Sequence, residues 1–271
     1  MDWDPKETKP LTWQYTARSV LKYDLRILHL LCLWPLPGSL FFRTLTAFFV
    51  ALCLGHFAEG VVNLCTLSGD MEDYTLALSN FSVVTIGVVK ITFFLRNERR
   101  YCHLVRWLDA LVAAERESAG GRQLMEAILP AAQKRSVRVA AGLLLYNCFL
   151  LFIWLTAPLA APSEARILPL QQLPLTDANA YPLYELSYAL QALSTVFVGL
   201  INVHLDCFFM VAMIQTAALL KSLSSRLADL QVRNTLSRPK VNEQGKNLMT
   251  TDDMYTELCL CIRTHQEITR F

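Results

Sequence analysis

The stretch VGLINVHLDCFFMVAM, Val198 to Met213, lies within an apolar block that runs from about Leu186 to Leu220. A helix needs about 20 apolar residues to cross the hydrocarbon core of a bilayer, and this block exceeds that length. Asn202, His204 and Asp206 stand inside it, although polar groups in an apolar medium are costly unless they are paired. The block therefore predicts a membrane helix with a polar position near one end.

Three further blocks have the same character, and they cover residues 41–67, 74–95 and 137–159. Only helices and closed barrels satisfy their backbone hydrogen bonds in lipid, and these blocks are too long and too uniform for barrel strands. The chain is also apolar as a whole, with 54% hydrophobic residues and a charged fraction of 18%, against about 25% in soluble domains. We therefore predict an all-α integral membrane protein with four transmembrane helices.

The basic residues are sorted by segment, which predicts the orientation. Of the 25 Lys and Arg residues, all but Lys90 and Arg166 lie in residues 1–43, 96–138 or 221–271. Because cytoplasmic segments carry the excess of Lys and Arg, the N-terminus, the 96–136 connection and the tail are predicted to be cytoplasmic.

The segments between the spans follow from this orientation. Residues 1–40 are predicted to form a cytoplasmic segment with an interfacial helix at Ile27–Gly38, residues 96–136 a cytoplasmic loop and residues 160–185 an extracellular loop. The fourth helix, 186–220, is longer than the bilayer is thick and is predicted to extend into the cytoplasm.

Residues 221–271 are predicted to form a cytoplasmic loop, with Arg238–Asn247 irregular, followed by the start of a helix. Asp252 or Asp253 is the expected cap of this helix. Met254, Leu258 and Ile262 repeat at helical spacing after the cap, so they are expected to form its apolar face.

The sequence contains no catalytic or metal-binding pattern, so neither an enzyme nor a cofactor is predicted. The eight cysteines fall mostly inside apolar runs, where they act as small hydrophobic residues, and no disulfide framework is expected. A net charge of +2 gives no footprint for nucleic acid.

Ionisable residues inside the spans have two interpretations each. Lys90 either reaches to the inner headgroups or pairs with Asp206, which lies at a similar depth. His56 and Glu59 are three residues apart and share a helix face, so they form either a local pair facing protein or part of a ligand or ion pathway.

Aromatic and small polar residues cluster in the outer halves of the second, third and fourth spans. They are typical of ordinary helix packing, but a dry aromatic pocket with a few hydroxyl groups also suits a small volatile or apolar ligand. The candidate ligand-binding residues are Phe81, Ser82, Tyr146, Phe149, Ile153, Tyr188, Gln191 and Thr195.

The order of several segments resembles a known family. These are LHLLCLWP before the first span, a Lys near the inner end of the second, YPLYELSYALQAL leading into the fourth, then VHLDCFFMVAM, LLKSLSSRL and CIRTHQEITRF. In this order the chain is similar to the insect odorant receptors, of the ligand-specific rather than the co-receptor kind.

The resemblance implies seven spanning helices with a cytoplasmic N-terminus, in the plasma membrane of a sensory neuron. It also implies that Asn202 and Asp206 bond neighbouring helices where the fourth helix leaves the membrane. It implies a subunit that binds small volatile ligands between its helices and, together with an odorant co-receptor in a hetero-tetramer, gates a cation channel. Only four of the seven spans are present, so a fragment or a truncated product is expected, without the pore helix. The alternatives are a gustatory-type receptor and a self-contained four-helix membrane scaffold or transporter component.

Overall fold

The chain is helical throughout the part that the structure describes. This computed structural model describes residues 11–34, 40–67, 70–117, 121–158, 183–236 and 251–269. No strand occurs in these ranges, so the predicted all-α class is confirmed. The helices are α1 (Trp13–Arg18), α2 (Lys22–Leu30), α3 (Leu40–Thr66), α4 (Met71–Arg96), α5 (Glu98–Glu117), α6 (Gly121–Thr156), α7 (Leu183–Leu236) and α8 (Thr251–Thr269).

Four of these helices are long and apolar enough to cross a bilayer, which is the predicted number. They are α3, α4, the part of α6 from Leu124 to Thr156, and the part of α7 from Tyr184 to Val232. Much of their surface is apolar and exposed, as lipid-facing helices require. The chain is therefore a multi-pass membrane protein, while the side on which it begins stays a prediction.

The predicted loop at 96–136 is largely helical, which corrects the sequence interpretation. Helix α5 fills 98–117, and α6 begins at Gly121 and continues without interruption into the third span. Eight of the 20 residues of α5 are charged, but the helix buries Tyr101, Val105, Leu108 and Val112 at helical spacing. Within α6, Pro130 lies inside the helix, although proline removes one backbone hydrogen bond and usually marks a break.

The observed ends of α7 and α8 also differ from the predicted ends. Helix α7 extends past Leu220 to Leu236, and α8 begins at Thr251, before both predicted caps. The predicted irregular segment 238–247 and residues 160–182 of the predicted extracellular loop lie outside the described residues, and residues 183–185 of that loop are the start of α7. The longer α7 is explained by its later part, which buries Leu223 and Leu230 at a seven-residue spacing, so the helical periodicity outlasts the hydrophobic block.

The predicted interfacial helix at Ile27–Gly38 is replaced by a helix end. Helix α2 stops at Leu30, where the Leu33 N–H donates to the Leu28 carbonyl over 3.0 Å and the Cys32 N–H donates to the His29 carbonyl over 2.9 Å. This pair of bonds is the Schellman pattern, with Cys32 at φ 59° in the left-handed position that glycine usually takes. The turn brings Trp34 into the protein, where it is buried instead of lying in the interface.

The chain forms two compact units. The first comprises residues 1–103 and 138–209, and the second comprises residues 104–137 and 210–271. In the first unit, Trp34 packs against Phe94 and Phe208 with ring centroids 5.7 and 6.3 Å apart, which attaches the N-terminal segment to α4 and α7. In the second, Leu223, Leu230 and Cys261 form a buried cluster between α7 and α8.

A glycine sets the spacing of α4 and α7 in the first unit. A Cβ atom built on Gly87 would lie 2.6 Å from Val198 Cγ1 and 3.2 Å from Asn202 Nδ2. Small residues allow membrane helices to approach closely, and this contact leaves no room for a methyl group. The Asn202 amide lies at the same contact, 3.5 Å from the Val83 carbonyl of α4.

We predict that Gly87→Ala lowers the stability of the full-length protein by about 1–3 kcal/mol, because the added methyl group overlaps Val198. Gly142→Ala in α6 is the matched control, since a Cβ there meets no atom within 4 Å. Thermal melting of both variants in detergent checks this. Equal melting temperatures would show that α4 and α7 do not pack at Gly87.

Candidate functional site

The eight candidate ligand-binding residues have different environments in the described part of the chain. Tyr146, Phe149 and Ile153 form a stripe on an exposed face of α6, and the Tyr146 side chain is 63% exposed. Phe81 points instead toward α3, where its ring lies 5.2 Å from that of Phe57. The structure therefore separates an α6 stripe from a group that faces α3.

The remaining candidates satisfy their polar groups within the helices. Ser82 donates to the Leu78 carbonyl over 2.7 Å, and Thr195 donates to the Gln191 carbonyl over 2.7 Å. Such bonds to the preceding turn are the usual solution for Ser and Thr in membrane helices. The Tyr188 hydroxyl donates to the Leu155 carbonyl over 2.6 Å, which joins α7 to α6.

Gln191 links α7 to the first span through a carboxylate. Its Nε2 donates to Glu59 Oε1 over 2.9 Å, and the other Glu59 oxygen lies 3.8 Å from His56 Nδ1. His56 and Glu59 thus form a local pair that faces protein, with Gln191 as a third member, and a role in ligand or ion passage stays a prediction. The sequence placed Gln191 near the pocket but gave no sign that it would contact α3.

Lys90 and Asp206 form an ion pair between α4 and α7. Lys90 Nζ lies 2.7 Å from Asp206 Oδ1 and 2.8 Å from Oδ2. The structure therefore has the second of the two alternatives for Lys90, pairing and not snorkelling alone. The side chains are 31% and 57% exposed, so the pair lies at the edge of the helix contact.

The three polar residues in the middle of α7 thus have three different environments. Asn202 faces the Gly87 contact and Asp206 faces Lys90, so both bond α4 as expected. His204 is buried, and its Nδ1 has no hydrogen-bond partner among the described residues. Asn202 and Asp206 therefore lie at the contact between α4 and α7. This contact, which also contains Gly87 and Lys90, is called the seam between α4 and α7.

A buried ionic cluster in the second unit was missed by the sequence analysis. Glu115 of α5 accepts from the Ser222 hydroxyl over 2.8 Å and from Arg226 Nη1 over 2.9 Å, both on α7. Glu257 of α8 lies 3.5 Å from Arg226 Nη2. A single guanidinium therefore connects three helices, with Arg226 and Glu115 almost entirely buried. The only sequence signal was one Arg at a core spacing of α7, where a solvated residue is the common interpretation.

Cys261 lies beside this cluster. Burial raises the pKa of its thiol, the Arg226 guanidinium lowers it, and the carboxylates of Glu257 and Glu115 raise it further. With the pKa above its usual range, the thiol stays protonated near neutral pH and is a poor nucleophile. Cys259, two residues earlier on α8, is exposed.

Among the described residues, no group of three or more His, Cys, Asp or Glu side chains is arranged to hold a metal ion. What the first unit offers is a set of interhelical polar contacts and exposed aromatic residues on apolar helices.

The comparison with protein families identifies the chain. The model of the 7tm odorant receptor family matches residues 70–271, about three quarters of the sequence.

The chain belongs to the odorant receptor family.

The resemblance seen in the sequence is thereby confirmed, and this family is one of receptors and not of enzymes. The match also favours the odorant type over the gustatory-type and scaffold alternatives. A search of curated proteins finds no match.

Solved structures show the same fold. This chain is similar to the insect olfactory receptor OR5 from Machilis hrabei, with a TM-score of 0.73 and 21% identity, over 92% of this chain and 62% of that one. It is similar to the same receptor in complex with eugenol, with a TM-score of 0.71 and 21% identity, over 93% of this chain and 63% of that one. The odorant receptor chain thus spans less than two thirds of the OR5 chain.

We predict that reversing the charge of either partner, Lys90→Asp or Asp206→Lys, destabilises the receptor by about 0.5–1 kcal/mol, because it places like charges across the seam. The expected loss of stability is small because solvent screens an ion pair that is partly exposed. The double variant restores the pair in reverse and recovers most of the stability. Melting curves of the three variants in detergent give the coupling free energy between the side chains at positions 90 and 206. Purely additive losses would show that the two side chains do not interact.

We predict that Arg226→Met exposes Cys261 to a thiol label at least about 100-fold faster, because removing one partner of a buried pair costs about 3–5 kcal/mol and opens α8 locally. Cys259 serves as the internal reference for labelling. Arg263→Met, at an exposed position of α8, is the control variant and leaves the Cys261 rate unchanged. An unchanged rate in Arg226→Met would mean that the cluster does not hold α8.

Proposed function

We propose that this chain is the ligand-binding portion of an odorant receptor subunit. In the full-length protein, together with an odorant co-receptor in a hetero-tetramer, it opens a cation channel when a small volatile ligand binds between its helices. The observation that carries this proposal is the family match over residues 70–271, which includes three of the four candidate spans.

The ligand class is supported by the eugenol complex of OR5, whose chain has the same fold over most of this sequence. Eugenol binding is a property of that protein, and the identity of 21% supports the fold and not the ligand. We transfer the general class only: a small volatile molecule that is mostly apolar. The position of the candidate residues within the spans is consistent with such a ligand.

The position of the pocket is part of the proposal. The Tyr146, Phe149 and Ile153 stripe leaves aromatic and aliphatic side chains exposed on the outer half of α6. We propose that further helices of the full-length receptor cover this stripe and enclose the ligand against it. Of the other candidates, Tyr188 bonds α6 directly and is proposed to lie beside this stripe, whereas Phe81 and Gln191 face α3.

The seam between α4 and α7 provides a route from the pocket to the inner side. Helix α7 is 54 residues long, about 80 Å at 1.5 Å per residue, so a single helix is longer than the membrane is thick. Gly87, Lys90 and Asp206 fix this helix against α4. We propose that these three residues transmit helix movement and do not determine which ligand binds. We also propose that the receptor lies in the plasma membrane with its N-terminus in the cytoplasm.

The test is current recording from cells that express the full-length receptor with an odorant co-receptor. A panel of volatile phenols, esters and alcohols is expected to evoke inward cation currents for a subset of ligands. Tyr146→Ala shifts the half-maximal concentration of at least one agonist by about tenfold, which corresponds to about 1.4 kcal/mol and is within the range of one aromatic contact.

Tyr255→Ala on α8 is the control, because this tyrosine is also exposed but lies outside the spans. Absence of currents in surface-expressed receptor contradicts the proposed function. An agonist ranking that Tyr146→Ala leaves unchanged removes this residue from the pocket.

A further inference from the structure

We propose that Glu59, Gln191 and Ser194 form a binding site for the ammonium group of a small amine, between α3 and α7. These residues, with His56, are called the α3–α7 polar cluster. The site rests on the proposed ligand-binding function and deepens it, because it adds a chemical class of ligand and a place for it. It is separate from the exposed stripe on α6.

Glu59 brings a carboxylate into the first span, where an ionised group needs a partner of opposite charge. Among the described residues, no Lys or Arg lies within ion-pair distance of it, and His56 Nδ1 is 3.8 Å from Oε2. The Gln191 amide donates to Oε1 without supplying charge. The site therefore has a carboxylate oxygen with spare acceptor capacity and no permanent cation.

Ser194 lies one helical turn from Gln191 on the same face of α7. Its Oγ is buried, with the residue 1% exposed, and it has no hydrogen-bond partner among the described residues. Ser194 does not bond the carbonyl four residues earlier in its own helix. That bond is made by Thr195 next to it and by Thr46, Thr75, Ser82, Thr85 and Thr216 elsewhere in the spans.

The helix register places Ser194 opposite the cluster. Helices α3 and α7 contact each other at Phe49 and Phe197, whose rings stack at 4.1 Å, and again at Glu59 and Gln191. As the residue number rises on α3 it falls on α7, so Ser194 lies between these two contacts. The midpoint between the two contacts corresponds to about residue 54 of α3, which is about 7.5 Å before Glu59 along the helix axis.

An alkylammonium group fits this set of atoms. It carries three N–H donors and a permanent positive charge near neutral pH, as the lysine side chain does with a pKa of about 10.4. Glu59 Oε2 supplies the charge-assisted acceptor and Ser194 Oγ a second acceptor, whereas a neutral alcohol leaves the carboxylate uncompensated. The stacked Phe49 and Phe197 rings close one side and give an apolar surface for a short alkyl tail.

The test measures binding and channel opening separately, on the purified full-length receptor and in cells. Hexylamine and 1-hexanol are the two probes, because they share one alkyl chain. We expect hexylamine to raise the melting temperature of the purified receptor at about tenfold lower concentration than 1-hexanol. Glu59→Gln removes this preference, weakening hexylamine about tenfold and changing 1-hexanol by less than about twofold.

Glu72→Gln at the exposed start of α4 is the matched control and keeps the preference. If Glu59→Gln does not fold, Ser194→Ala is the deciding variant. It is expected to weaken the binding of hexylamine by about threefold or more and to leave the binding of 1-hexanol unchanged. A wild-type receptor without preference for the amine, or a preference that survives both substitutions, overturns the inference.

Failure of the proposed function looks different from failure of this inference. A receptor that binds hexylamine through Glu59 but gives no current with any odorant supports the site and contradicts the channel function. A receptor that responds to esters and alcohols, without any shift by hexylamine, supports the function and overturns the amine site.

Discussion

The hydrocarbon of the bilayer offers no hydrogen bonds, and this constraint shapes the whole structure. Each span must satisfy its backbone internally, so all four candidate spans are helices. Polar side chains in the spans must likewise find partners in the protein. Glu59 has Gln191, Lys90 has Asp206, and most hydroxyl groups bond the preceding turn of their own helix. The exceptions to this rule are therefore informative, and Ser194 is one of them.

Contact between the spans depends on small residues as much as on polar ones. Gly87 brings α7 close to α4, and the backbone of α3 at Gly60 lies directly under the Phe81 ring. Lipid competes with apolar side chains for the helix surfaces, so close packing and interhelical hydrogen bonds must supply the association. In the second unit, buried ion pairs hold the helices together. Arg226 is shared between Glu115 and Glu257, beside the cluster of Leu223, Leu230 and Cys261.

The sequence predicted the parts of the fold that depend on composition along the chain. Hydropathy located the four spans, because few structures apart from a membrane helix require about 20 consecutive apolar residues. Hydropathy could not place side chains around each helix axis. Lys90 and Asp206 were predicted to share a depth, but pairing also required them to face each other. Arg226 resembled a solvated residue, because its partners lie 111 positions earlier and 31 later.

Helix α8 illustrates the same limit. Its sequence has two apolar stripes, and the predicted one contained Leu258 and Ile262. The structure buries Cys261 and Ile268 instead and leaves Leu258 and Ile262 exposed. Periodicity alone cannot choose between two such stripes, because the choice depends on which neighbouring helix is present. The candidate pocket has the same difficulty, since outer depth was the basis for its eight residues and the facing of each helix was not known.

The orientation of the spans is the central claim, and chemical labelling of intact cells tests it most directly. Two single-cysteine receptors are compared after the native cysteines are replaced by alanine: Asp70→Cys between α3 and α4, and Arg99→Cys in the first turn of α5. Both positions are exposed. A membrane-impermeant maleimide is predicted to label Asp70→Cys in intact cells, and Arg99→Cys only after permeabilisation. Labelling of Arg99→Cys from outside, with Asp70→Cys protected, would contradict this orientation.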